Sequence, residues 1–174
     1  MTAVWNGTDR TRIGLALVAA FVLSMLVASA PARAASSDGD RAAVLSVAER
    51  LFEAINTQDP ALWNSLVLKD ATIARTQPDP AGGFRIDRMV AADMAARLKP
   101  GPEPYRERFT AEPTVLIRGA IAVVWGDYDF WIGDTFSHCW VDAIDLLKID
   151  GRWMVSNLMW TMEREGCPTA PPAR

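Results

Sequence analysis

An α+β fold, with N-terminal helices packed on one face of an antiparallel sheet, follows from three observations. Apolar residues recur at helical spacing before about residue 100 and alternate with a period of two after Tyr105. Short glycine-containing joints cut the second half into long strands. The 174 residues, half of them apolar, suit one domain with a sizeable core.

The elements follow in chain order. Val44, Val47, Ala48, Leu51, Phe52 and Ile55 form a single helical stripe, with Asp40 placed to cap it. Asp59-Pro60 then opens a short helix, an acidic cap followed by proline in the first turn, that buries Trp63 and Leu66. Thr72 to Thr76 reads as a short strand, and Pro78 to Gly83 as a loop. Ile86, Met89, Val90, Met94 and Leu98 predict a third helix, stopped by Pro100-Gly101-Pro102. Strands are expected over Arg106 to Ile117, Ala120 to Ile132, Thr135 to Ile149 and Arg152 to Met162. Their joints are Arg118-Gly119, Gly133-Asp134 and Asp150-Gly151, the last a favoured two-residue hairpin turn.

Residues 1–34 read as a secretory leader. Arg10 and Arg12 precede an apolar run from Ile13 to Val27, and a small-residue Ala-x-Ala segment ends at Ala34, the expected cleavage point. An uncleaved membrane anchor is the alternative reading. Cleavage leaves one domain, 35–174, of net charge −5, periplasmic or secreted and free of the membrane. The full chain carries −3, which speaks against a nucleic-acid binder with a basic surface. One histidine and two cysteines exclude a zinc finger, and no phosphate loop, nucleotide fingerprint or metal-ligand cluster appears, so no cofactor or metal is expected.

Hairpin arithmetic brings candidate side chains together. Two-residue turns at Asp150-Gly151 and Gly133-Asp134 set Asp142 opposite Met159, Asp129 opposite His138 and Trp125 opposite Asp142. Alternation then gathers Trp125, Asp127, Asp129, Trp131, His138, Trp140, Asp142, Trp153, Val155, Asn157 and Met159 on one face. That mixed face fits a pocket with apolar walls and a few polar groups, and the opposite face, with Tyr128, Phe130, Leu158 and Trp160, fits a dimer interface or plain core. The catalytic candidates are His138 oriented by Asp129, and Asp142, whose pKa would rise on burial. Each has a structural alternative: a His–Asp bond at the sheet rim, and a hydrogen bond from Asn157 to Asp142. Arg108 is set opposite Asp129, turning the row into a salt-bridge ladder, unless a bulge at Pro113 puts Glu107 there instead. Trp125, Trp140, Asn157 and Met159 are the candidate ligand contacts, for a small apolar or flat molecule. Cys139 and Cys167 are a candidate disulfide, reachable only if a bend at Gly166 folds the tail back.

The C-terminal half carries Ala122-Val-Val-Trp-Gly-Asp-Tyr-Asp-Phe130, Phe136-Ser-His-Cys139, Val141-Asp-Ala143, Asp150-Gly-Arg-Trp153 and Gly166-Cys-Pro168. With the helix–helix–strand–helix order before it, this resembles the nuclear transport factor 2-like (SnoaL-like) superfamily over about residues 40–168. The segments look like a bacterial branch labelled lumazine-binding. The resemblance implies a cone-shaped fold, a pocket between helices and concave sheet, and homodimerisation through the sheet. It implies no particular reaction. The reading that results is a non-catalytic small-molecule binder, with a cofactor-free isomerase, cyclase or dehydratase as the alternative.

Overall fold

A computed structural model describes residues 37–167; the leader and its cleavage point lie outside them. Among the described residues three helices, α1 (Ser37–Asn56), α2 (Pro60–Leu66) and α3 (Ala91–Ala95), pack on a seven-stranded sheet. The strands are β1 (Val67–Pro78), β2 (Phe84–Val90), β3 (Tyr105–Phe109), β4 (Thr114–Arg118), β5 (Ile121–Ile132), β6 (Thr135–Ile149) and β7 (Arg152–Thr161). The sheet runs β2-β1-β7-β6-β5-β3, with β4 also on β5, and is antiparallel except where β1 pairs with β7. The α+β class read from the sequence is the class observed, with the sheet curved and unclosed around its helices.

Local chemistry explains the boundaries. Asp59 caps α2, its Oδ1 accepting from the Ala61 and Leu62 amides, and Trp63 and Leu66 are buried as their spacing predicts. Asp40 is no cap, because α1 begins at Ser37. Its carboxylate instead accepts from Lys148 Nζ and from Trp153 Nε1 at 3.2 Å, tying the helix to the last hairpin. The predicted third helix shrinks to five residues, since Ile86, Met89 and Val90 belong to β2, an edge strand opposite β1. Tertiary pairing overrides a spacing that reads equally well as helix. The strand predicted over residues 106–117 is broken at Pro113, which cannot donate to the ladder, into β3 and β4.

The core lies between α1 and the inner sheet face. Rows such as Val124–Ile144–Leu158–Ile73 and Ala122–Leu146–Val155 cross several strands and are buried throughout. Val44, Ala48, Leu51 and Ile55 of α1 close over them. Two irregularities decide which side chains share this face. β5 and β6 pair as the hairpin arithmetic predicts only at Ile132–Thr135 and Trp131–Phe136; Ser137 is then skipped and Phe130 meets His138. β6 and β7 follow it from Ile149–Arg152 to Leu146–Val155, then slip so that Asp145 meets Asn157. One inserted residue reverses the facing of everything beyond it.

Candidate functional site

The expected pocket face is therefore regrouped. Tyr128, Phe130, Leu158 and Trp160 join His138 and Asp142 on the inner face, whereas Trp125 and Met159 sit on the outer one, 54% and 43% exposed. Asp142 faces Gly126 and Trp160 rather than Trp125 and Met159. Asn157 gives its amide to Asp145 at 2.9 Å, not to Asp142. Trp140, opposite Tyr128, takes a left-handed φ of 105° and points its Nε1 at the Glu165 carbonyl. None of Trp125, Trp140, Asn157 or Met159 lines the inner cavity.

The His138–Asp129 pair does not form. Asp129 pairs across the ladder with Cys139, is fully buried, and is gripped by Arg108 through two 3.1 Å contacts. The salt-bridge alternative is the one present. Two offsets produce it: the β4–β5 turn is Gly119-Ala120, one residue later than expected, and the chain around Pro113 restores the register on β3. His138 shares a hydrogen bond of 2.9 Å between its Nδ1 and Ser137 Oγ and lies against the rings of Phe130 and Tyr128. Burial foremost, with the Arg164 and Arg75 charges adding to it, lowers its pKa to about 4, so it is neutral near pH 7.

A cavity of about 260 Å³ opens between the helices and the inner face. Ile55, Met94 and Leu98 line it from the helix side, and Tyr105, Phe130, Leu158 and Trp160 from the sheet. Its polar groups are Glu107, His138, Ser137 and Arg75, the last held by Asp87 at 3.0 Å. Glu107 is fixed by its own backbone: Asn56, the last residue of α1, donates Nδ2 to its carbonyl at 2.9 Å and accepts its amide on Oδ1 at 2.6 Å.

Behind Glu107 lies Asp142, 1% exposed. Among the described residues no backbone or neutral side-chain donor reaches either of its oxygens; its hydrogen-bonding neighbour is the Glu107 carboxyl. Burial and the nearby Glu107 charge push Asp142 well above the usual carboxylate range. Burial raises Glu107 to about 8, held there against a lowering hydrogen bond from Asp142. Tyr128, placed on β5 between their ladder positions, is raised by burial and then by both carboxylates. Sequence reasoning reached Asp142 but met Glu107 only as a substitute for Arg108. Glu107 is offset from Asp142 by four residues along β5, and only sheet curvature joins them.

Cys139 and Cys167 are disulfide-bonded, with Cα atoms 6.0 Å apart. Cys139 bridges to Glu163, and Gly166, at φ 72°, turns the tail back. Among the described residues no cluster of metal-ligating side chains occurs and no helix is long and apolar enough to cross a membrane.

A curved, unclosed sheet with a cavity under its helices is an α+β cone, consistent with the nuclear transport factor 2-like fold. A superfamily protein from Salmonella enterica superposes with a TM-score of 0.59 at 14% identity, over 77% of this chain and 98% of its own. A Novosphingobium aromaticivorans protein described as the β subunit of an aromatic-ring-hydroxylating dioxygenase gives 0.60 at 9%, over 74% and 92%. The association domain of CaMKII from C. elegans gives 0.53 at 16%, over 71% and 96%. At these identities the likeness is one of fold. No protein-family model and no curated protein sequence matches the chain.

Proposed function

We propose that this chain is an exported domain that binds a small, flat and largely apolar molecule in the cavity between its helices and its sheet. The carrying observation is that cavity: about 260 Å³ left unfilled by the protein's own side chains, walled by Tyr105, Phe130 and Trp160, with a carboxyl at one side. Its size is at the small end of ligand pockets, which run from roughly 300 to 1,000 Å³, and favours a one- or two-ring ligand. The branch labelled lumazine-binding, suggested by the C-terminal segments, would be one source of such a heteroaromatic ring. Export rests on the leader-like residues 1–34.

The second reading, a cofactor-free isomerase, cyclase or dehydratase, is favoured by one observation, a carboxyl on the cavity wall with its pKa raised to about 8. That value suits proton transfer near neutral pH.

Native mass spectrometry of the protein purified without its leader tests occupancy. A retained small molecule, lost in a cavity-filling Met94→Trp variant, is the expected result. Ligand panels that bind wild type and Met94→Trp alike would place binding elsewhere and end this reading. Turnover of an identified ligand, abolished in Glu107→Gln, would move the protein to the enzymatic reading.

A further inference from the structure

We propose that Glu107 and Asp142 act together as the recognition element of the cavity, with Glu107 presenting a carboxyl proton to the acceptor oxygen of a flat, uncharged carbonyl compound. This rests on the cavity being a ligand site and names what it selects.

The geometry is specific to these two residues. Asp142 is enclosed by protein and has the Glu107 carboxyl as its hydrogen-bonding neighbour. Two carboxyl groups in hydrogen-bond contact, one fully buried and the other half-buried on the cavity wall, hold a proton between them, because two like charges at that range repel too strongly. Asp142 has no cavity surface, so Glu107 is the member that meets a ligand. Asn56 fixes the Glu107 backbone from both its N–H and C=O, so the carboxyl is preorganised rather than searching.

The other charged and titratable groups around the cavity narrow the ligand class. Arg75 on β1 is already paired with Asp87, and burial, Arg164 beyond β7 and Arg75 all hold His138 toward its neutral form. His138 on β6 stays neutral, and Tyr128 on β5 gives its hydroxyl to the Thr161 carbonyl at 2.7 Å. From α1, α3 and β7 come Ile55, Met94, Leu158 and Trp160, all uncharged. An anionic ligand would find Arg75 already paired with Asp87, and a cationic one would meet Glu107 in its protonated form near neutral pH. A carbonyl oxygen accepting from Glu107, with its ring between Tyr105, Phe130 and Trp160, engages the carboxyl and the aromatic wall together.

Calorimetric titration with three ring-matched probes, 1-indanone, indane and 1-aminoindane, tests this. The ketone should bind wild type about tenfold or more tightly than the hydrocarbon at about pH 6, a difference of about 1.4 kcal/mol. That advantage should vanish by about pH 10, as Glu107, with its pKa near 8, ionises. Glu107→Gln, whose amide still donates, should keep ketone binding but lose its pH dependence; Glu107→Leu should bind ketone and hydrocarbon alike. Equal binding of indanone and indane to wild type overturns this inference and leaves the cavity reading standing. Tighter binding of the amine at neutral pH also overturns it. Failure of all three to bind overturns both. Independently of any ligand, wild type at pH 7 should show a protonated-carboxyl infrared band that weakens in Glu107→Gln; identical spectra would count against the shared proton.

Discussion

Glu107 and His138 face the same cavity with pKa values displaced in opposite directions, and their opposition sets the protein's pH behaviour. Glu107 rises from the ordinary 4.5 to about 8, so the folded state holds a proton that the unfolded chain gives up, and stability drains away as pH climbs from about 4.5 through 8. His138 falls from 6.5 to about 4, so stability is lost as pH drops from about 6.5 through 4. Between about 4.5 and 6.5 His138 offsets Glu107, but Asp142, raised as well, adds its own loss as pH rises. Thermal melts should therefore fall gently over that range and more steeply toward pH 8, and Glu107→Gln should lessen the decline while keeping the acid limb. A wild-type Tm that rises from pH 6.5 to 8 would contradict the Glu107 assignment. The Arg108–Asp129 pair is a second residue-scale case: Asp129 is buried and Arg108 half-exposed. Arg108→Ala should cost about 1–3 kcal/mol in denaturant unfolding, because a buried carboxylate loses a two-point charged donor.

Between elements, close approach and one covalent tie shape the cone. Gly126 on β5 lies across from Asp142, and a β-carbon there would come within 2.7 Å of the Phe109 ring and 2.8 Å of Pro113 Cβ. The bare backbone lets Phe109 lie flat over β5 and pack edge-on against Phe52 of α1 at 4.7 Å. Gly126→Ala should therefore destabilise by about 1–3 kcal/mol, measured by urea unfolding, as overpacked cores do. The Cys139–Cys167 bond closes a loop of 28 residues and anchors the segment after β7, whose Met162 lines the cavity. In the chain-entropy picture it contributes about 3–4 kcal/mol. Cys167→Ser should lower stability by an amount of that order, and reduction of wild type should match it.

For the whole molecule, the outer sheet face matters most. Trp125–Ala143–Met159 and Ile121–Leu147–Met154 form two apolar rows there, separated by the hydrogen-bonded Asp145–Asn157 pair, and Trp125, Ile121, Met159 and Leu147 are each more than a third exposed. We propose this face as the homodimer contact, since solvated apolar rows around an internally satisfied polar pair are costly on a lone monomer. Sedimentation velocity should find dimers for wild type and monomers for Trp125→Glu; a monomeric wild type at micromolar concentration would reject the proposal. The sequence pairing placed the dimer contact on the opposite face. The surface has the expected character, but the two bulges exchange which residues carry it.

Much of the architecture was legible without coordinates because it is written in local terms. The Asp59-Pro60 cap, the stripe from Val44 to Ile55 and the Asp150-Gly151 turn each depend on a few neighbouring residues, and each stands as read. The disulfide partners were legible as candidates, and the Gly166 bend that joins them was named by its glycine. Beyond these, only the tertiary structure decided. A bulge at Ser137 separates His138 from Asp129, a second near Ser156 turns Trp160 into the cavity, and sheet curvature brings Glu107 to Asp142. Each effect inserts one residue or bends one ladder, which leaves composition and periodicity almost untouched. Such a change moves every side chain beyond it, because facing alternates residue by residue along a strand. Sequence alone therefore determined the α+β class and the chemistry available to the protein; long-range pairing determined which of those groups meet.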